Sequence, residues 1–244
     1  EKVESSTNFG VASISKAFTA AALAILVDEE KITWDDKVIT HIPEFKMYND
    51  YVTNEFTIRD LLTHRSGLGL GAGDLMVWPD GHNFTPNDII NNIQFLKPVS
   101  DFRSKYDYDN LLYIIAGVVV ERVSGQTWTN FVTKRLLEPI GMTNSAANWH
   151  MLTNKKNAID PHVPIDGKLQ VIDRYTNTIF DAAAGIYSNV DDVAKWLQFN
   201  LDKGKVNGKQ IISEKQMKEM ITPQTLQKVG TTPPYNSLFK AYGL

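Results

Sequence analysis

From Ala17 to Val27 the chain runs without a glycine, a proline or a charge. Such a run does not read as an amphipathic surface helix; it reads as a helix buried on most sides. Immediately before it stands Ser13-Ile14-Ser15-Lys16. A lysine at the head of a buried helix is costly unless it has polar company. On a helix, Ser13 and Lys16 share one face, which lets the amine approach the hydroxyl. Desolvation weakens a lysine's hold on its proton, and a serine beside such a base is an activated nucleophile. The helix start also leaves backbone N–H groups available to a developing oxyanion. One short segment thus carries three parts of an acyl-transfer site. The pattern alone is weak, because Ser-x-x-Lys recurs at Ser237-Leu238-Phe239-Lys240. That copy lies between Pro233-Pro234 and Tyr242-Gly243 with no helix after it, so the first copy is the candidate. A purely structural lysine stays open at this point.

The 244 residues suffice for a sizeable core, as one large domain or two lobes. A hydrophobic content of 43% with 22% charged residues describes an ordinary globular chain. The net charge of −3 and the scattered Lys and Arg residues give no nucleic-acid footprint. No apolar run is long enough to span a bilayer. The absence of cysteine excludes disulfides, thiol nucleophiles and cysteine metal sites. His41, His82, His150 and His162 show no metal-ligand spacing, and no His-Glu-x-x-His occurs, which argues against a metallohydrolase. No Gly-x-Ser-x-Gly is present, which argues against an α/β-hydrolase. Glu1-Lys2-Val3-Glu4 does not read as a signal peptide, and this leaves the location open.

Along the chain there is no internal repeat. Asp28 to Pro43 reads as helix end, turn and short extended stretch. Thr57 caps a helix that Gly67 is expected to end. Residues 68–84 read as a Gly- and Trp-containing loop. Thr85-Pro86 opens another helix, with proline at its first position. Asn110 to Val123 is apolar nearly throughout and reads as a second buried helix. Thr127 to Leu137 is a further helix, expected to stop at Pro139 and Gly141. Residues 160–180 resemble a hairpin turning at Ile165-Asp166-Gly167-Lys168. Asn189–Leu201 and Ser213–Ile221 are helical, the first amphipathic and carrying Trp196. The tally is mostly helix with few strands.

A serine nucleophile needs a polar partner across its cleft, and Tyr108-Asp109-Asn110, at the start of the second buried helix, supplies one. A tyrosine near cations can ionise below its usual pKa of about 10 and act as general acid or base. Asn110 can hydrogen-bond both the lysine and a substrate amide. Tyr-x-Asn also occurs at Tyr175 and Tyr187. Tyr175 is expected in the hairpin and Tyr187 beside an N-cap at Asn189, so neither is expected to face Ser13.

Three segments together resemble the serine β-lactamase-like family, which includes class C β-lactamases, penicillin-binding proteins, D-aminopeptidases and esterases. They are Phe9-Gly10-Val11-Ala12-Ser13-Ile14-Ser15-Lys16-Ala17-Phe18-Thr19, Leu61-Leu62-Thr63-His64-Arg65-Ser66-Gly67-Leu68 and Tyr108-Asp109-Asn110-Leu111-Leu112-Tyr113. Glu138-Pro139-Ile140-Gly141-Met142 and Ala184-Gly185-Ile186-Tyr187-Ser188 follow in the same order. The separation of Ser13 from Tyr108 suits the class C-like branch. A sister set in class A enzymes combines Ser-x-x-Lys with Ser-Asp-Asn, where this chain has Tyr-Asp-Asn.

The resemblance implies an α+β, β-lactamase/transpeptidase-like fold and a single domain over residues 1–244. It implies catalytic roles for Ser13 as acylated nucleophile, Lys16 as its base and Tyr108 as proton relay, with Asn110 binding substrate. It reads His64 as structural. It implies neither metal nor cofactor, a small-molecule or peptide substrate (β-lactam, D-amino-acid peptide or small ester), and a periplasmic or secreted location; the oligomeric state stays open. The family's opening strands would precede Ser13 and its third motif would follow Tyr242-Gly243-Leu244. The domain is therefore expected to be incomplete at both ends, helix-rich with its antiparallel sheet largely missing, and a weak catalyst or none. A catalytically silent ligand-binding or structural module is the alternative.

Overall fold

The computed structural model describes residues 2–81, 83–229 and 240–244. Its centre is the pair of apolar helices. Ser15–Asp28 and Leu111–Ser124 pack against each other, and Ala20, Leu23, Leu26, Leu111, Ile115 and Val119 are fully buried. Each large aliphatic side chain withdrawn from water this way contributes roughly 1.5–3 kcal/mol. Phe18 stacks on Trp196 at 4.1 Å between ring centres, which fastens the Val190–Leu201 helix to the same core. Asn189 caps that helix by accepting the Asp192 N–H at 3.0 Å.

Local chemistry accounts for most element ends. Thr57 and Asp60 form a reciprocal capping box at the Ile58–Leu62 helix, and Thr85 and Asp88 form another at Pro86–Asn92. The Leu111–Ser124 helix ends at Gly125 in the left-handed region. The His162–Ile165 and Lys168–Val171 strands pair antiparallel through Asp166 and Gly167, both at positive φ, as a two-residue hairpin turn demands. The remaining strand pairs among the described residues are short and antiparallel: Phe9–Gly10 with Tyr187–Ser188, Lys205–Val206 with Lys209–Gln210, and Thr225–Gln227 with Lys240–Tyr242.

Four expectations are corrected. The helix after Thr57 ends at Leu62, short of Gly67. Gly67, at φ +90°, is needed instead because a Cβ there would meet the Ser100 carbonyl oxygen at 2.5 Å. Pro139 does not stop its helix: Trp128–Val132 passes through a π turn at Thr133–Leu137 into Glu138–Ile140, and Gly141 ends it at φ +82°. The wider π turn occurs where proline withholds an N–H, so the helical path survives the missing bond. Residues 38–41 form a helical turn within the stretch expected to be extended. Tyr175 lies beyond the hairpin strands rather than in them.

The short Asp181–Ala184 helix packs against both central helices. Gly117 makes this possible, since a Cβ on it would sit 2.6 Å from the Ala182 Cβ. Gly117→Ala should therefore destabilise the fold by about 1–3 kcal/mol, overcoming the better helix propensity of alanine. A thermal melt checks this, and an unchanged or raised Tm contradicts it.

Candidate active site

The chain enters the site along the Phe9–Gly10 strand, turns at Ala12 (φ +47°), and passes through a 3₁₀ turn at Ala12–Ile14 into the Ser15–Asp28 helix. Ser13 thus sits in the 3₁₀ turn, two residues before the α-helix proper, and is exposed. The buried Ser15 hydroxyl faces the other way and accepts the Ile186 N–H at 3.0 Å, tying the helix start to the neighbouring strand. Ser237 lies outside the described residues.

Ser13, Lys16, Tyr108 and Asn110 form one hydrogen-bonded group. The Lys16 Nζ lies 3.0 Å from the Ser13 Oγ, 2.8 Å from the Asn110 Oδ1 and 3.1 Å from the Ala183 carbonyl oxygen. The Tyr108 hydroxyl is 2.7 Å from the Ser13 Oγ. Two of the amine's three partners, the Asn110 and Ala183 oxygens, can only accept. A neutral amine would spend its two N–H groups on them and turn its lone pair to the Ser13 hydroxyl. Burial of Lys16 lowers its pKa from 10.5 to about 8, against the opposing pull of the Asp109 and Asp74 carboxylates. The amine also lies 5.0 Å from the Tyr108 ring centre and 5.3 Å from that of Tyr113.

His64 holds the Tyr108 segment in place. Its carbonyl accepts the Asp107 N–H at 2.7 Å, and its Nδ1 accepts the Asp109 N–H at 3.3 Å. Its ring lies 4.4 Å from the Tyr108 ring and 4.8 Å from that of Tyr242. Burial, helped by the charge of Lys16, drives its pKa down to about 3, so it is a neutral acceptor at ordinary pH. Asp109 is buried beside it. One oxygen accepts the Leu112 N–H at 3.2 Å, while the other has no partner. Burial raises its pKa from 3.8 to about 7.

An acid raised in the folded state keeps a proton that the unfolded chain releases, so Asp109 weakens folding as pH climbs from 3.8 to about 7. Asparagine has no such titration and can still accept the Leu112 N–H. Relative to the parent, Asp109→Asn should gain stability across this window, read as a Tm difference that grows from acid to neutral pH. A difference independent of pH contradicts the placement.

The cleft in front of Ser13 is a cavity of about 330 Å³. Its walls are aromatic: the Trp78 and Tyr175 rings lie 4.1 Å apart, and Trp149 and Tyr187 lie 5.3 Å apart. The Arg174 guanidinium lies 4.0 Å over Trp149. Tyr175 and Tyr187, not expected to face Ser13, both line this cavity, although neither hydroxyl reaches Ser13: that of Tyr175 donates to the Val77 carbonyl at 2.9 Å. The sequence likewise gives no sign of Asp74, whose carboxylate acts on Lys16 from the 68–84 loop, or of Asn148 and Asp181 on the cleft wall. None of these carries a local signal; the chain's long-range packing delivers them. Among the described residues, no cluster of three or more His, Asp or Glu could hold a metal ion, and no helix is long and apolar enough to cross a membrane.

This helix-rich α+β arrangement is of the β-lactamase/transpeptidase-like type. The Beta-lactamase family model matches residues 1–244, and the chain belongs to that family. The octameric penicillin-binding protein homologue from Pyrococcus abyssi superposes with a TM-score of 0.77 at 27% identity, covering 97% of this chain and 52% of that one. The penicillin binding protein from Bacillus halodurans shares the fold, with a TM-score of 0.70 at 23% identity over 91% of this chain and 65% of that one. Among curated proteins, the unguisins hydrolase ungD' of Aspergillus campestris is 27% identical over 212 residues, 78% of this chain and 37% of its own length. Protein flp of Staphylococcus aureus is 26% identical over 205 residues, 82% of this chain and 40% of its own length. The chain thus spans about two-fifths of the length of these curated relatives.

Proposed function

We propose that this chain carries the nucleophilic centre of a serine acyl hydrolase, organised as a single domain. In this reading Ser13 attacks an ester or amide carbonyl, and Lys16 takes its proton. Tyr108 relays a proton to the leaving group and helps activate the water that releases the acyl group. Asn110 holds the Lys16 amine and a substrate amide. Substrates are β-lactams, D-amino-acid peptides or small esters, and the location is periplasmic or secreted. One observation carries the reading: a buried lysine of depressed pKa is bound to the serine hydroxyl and otherwise only to acceptors. His64, Ser15 and Asp109 serve it by fixing backbone positions.

The experiment is the pH dependence of Ser13 phosphonylation by a fluorophosphonate. Only neutral Lys16 can accept the serine proton. The labelling rate should rise about tenfold per pH unit below a pKa of about 8 and level above it. A rate flat between pH 6 and 9 contradicts the assignment of Lys16 as base. The same shift predicts that stability rises with pH between about 8 and 10.5, where the unfolded lysine still binds a proton that the folded one has lost.

A further inference from the structure

The Ser13 cleft holds a second titratable side chain that the proposed chemistry does not use. Asp181 is buried at the head of the Asp181–Ala184 helix and lines the same cavity as Ser13 and Asn110. Two residues on, Ala183 supplies the carbonyl that accepts from Lys16, so Asp181 stands on the element that holds the site together.

Its two oxygens differ. Oδ2 accepts the Asn148 Nδ2–H at 2.7 Å, and the orientation of that amide is fixed because its own Oδ1 accepts the Met151 N–H at 3.0 Å. Among the described residues, none donates to Oδ1. A Cβ at Gly185 would lie 2.8 Å from that oxygen, and Gly185 itself lines the cleft. Glycine therefore leaves room for Oδ1 at this point, where any side chain would meet it together with the Asp181 Cα and the Ala147 carbonyl oxygen.

No described cation pairs with this carboxyl. Arg174 is held by Asp160 at 3.2 Å and by the Trp149 face. Behind Asp181 lies a further cavity of about 400 Å³, lined also by Glu121, so the nearest charge on that side is a second carboxylate. Burial raises the Asp181 pKa to about 7; the Asn148 bond opposes this and the Glu121 charge adds to it. A buried carboxyl without a cation is costly, and an incoming ammonium would relieve that cost. Phe180 and Tyr175 stand beside it with ring centres 6.4 Å apart, and Trp78 lies 6.0 Å from Phe180; such ring faces attract a cation.

We infer that Asp181 is a specificity-determining residue that receives a primary ammonium group on the acyl part of the substrate. The aromatic wall of Trp78, Tyr175 and Phe180 encloses that group. The substrate class is thereby an aminoacyl ester or amide rather than a plain carboxylic ester. This inference rests on the proposed function, in that the ammonium belongs to an acyl donor for Ser13.

Two measurements test it. The first uses the p-nitrophenyl esters of β-alanine and of butanoic acid, which differ by an ammonium in place of a methyl group. The parent should prefer the β-alanyl ester in kcat/KM after correction for spontaneous hydrolysis. Asp181→Asn, which can keep the Asn148 contact, should reduce that preference by about 30-fold or more, the scale of losing one partner of a buried charge pair. Because the readout is a ratio within each protein, partial misfolding does not imitate the result. An unchanged ratio overturns the inference. The second measurement is independent of catalysis: calorimetric titration of the Ser13→Ala protein with 2-phenylethylammonium and with 3-phenylpropan-1-ol. The ammonium should bind more tightly than the alcohol, and adding Asp181→Asn should abolish the difference. Equal binding, or no ammonium binding at 10 mM (roughly the weak limit for a single docked group), overturns the inference. If neither ester is turned over and Ser13 resists phosphonylation, the proposed function fails, while the titration still decides the role of Asp181.

Discussion

Replacing Lys16 by methionine should slow phosphonylation of Ser13 by roughly 10⁴-fold, at the upper end of what a positioned acid–base group supplies. Methionine roughly matches the length of the lysine stem in a buried site, so the core around the Ser15–Asp28 helix keeps its filling. What disappears is the group 3.0 Å from the Ser13 hydroxyl that can take its proton. The change also strands two buried acceptors, the Asn110 Oδ1 and the Ala183 carbonyl, which costs about 1–3 kcal/mol each. Removal of a desolvated amine offsets part of that loss. The rate should therefore fall far more than the stability does. The comparison is a labelling time course beside a thermal melt of the same protein; comparable labelling with an intact fold would rule out Lys16 as base.

Tyr108→Phe should cost roughly 10²–10⁴-fold in acyl turnover. The phenolic oxygen lies 2.7 Å from the Ser13 Oγ, whereas the ring packs 4.4 Å from His64. Phenylalanine keeps the second contact and loses the first, so the substitution isolates the hydroxyl. Tyr175→Phe is the matched comparison, because that residue lines the same cleft but spends its hydroxyl on the Val77 carbonyl. Its loss should be at least tenfold smaller. Kinetics of both variants on one activated ester, with melts to verify folding, provide the check; equal losses would remove Tyr108 from the mechanism.

The parts of this site that the sequence discloses are those set by short-range geometry. Ser13 and Lys16 meet because a helical turn puts residues three apart on one side, and the charge-free run after them announces the burial that depresses the lysine. Thr57, Thr85 and Asp166-Gly167 are legible because caps and two-residue turns are decided by neighbours in the chain. Asn189 likewise reads correctly as a cap. By contrast, Tyr175 and Tyr187 reach the cleft only through the packing of distant elements. Tyr187 is placed by pairing with Gly10, a partner that no local pattern names. Asp74 and Asp181 are ordinary loop and helix-start residues until the fold brings the first within the field of Lys16 and sets the second against Asn148. Pro139 misleads for a related reason: its usual effect as a helix breaker is absorbed by the π turn before it.

Everything proposed for this cleft depends on Ser13 being the nucleophile. Intact-mass spectrometry after exposure to a fluorophosphonate, followed by peptide mapping, tests it most directly. A single adduct is expected, carried by the peptide containing Ser13, formed faster as pH rises through about 8, and absent from Ser13→Ala. An adduct on another residue, or labelling that survives Ser13→Ala undiminished, would contradict it.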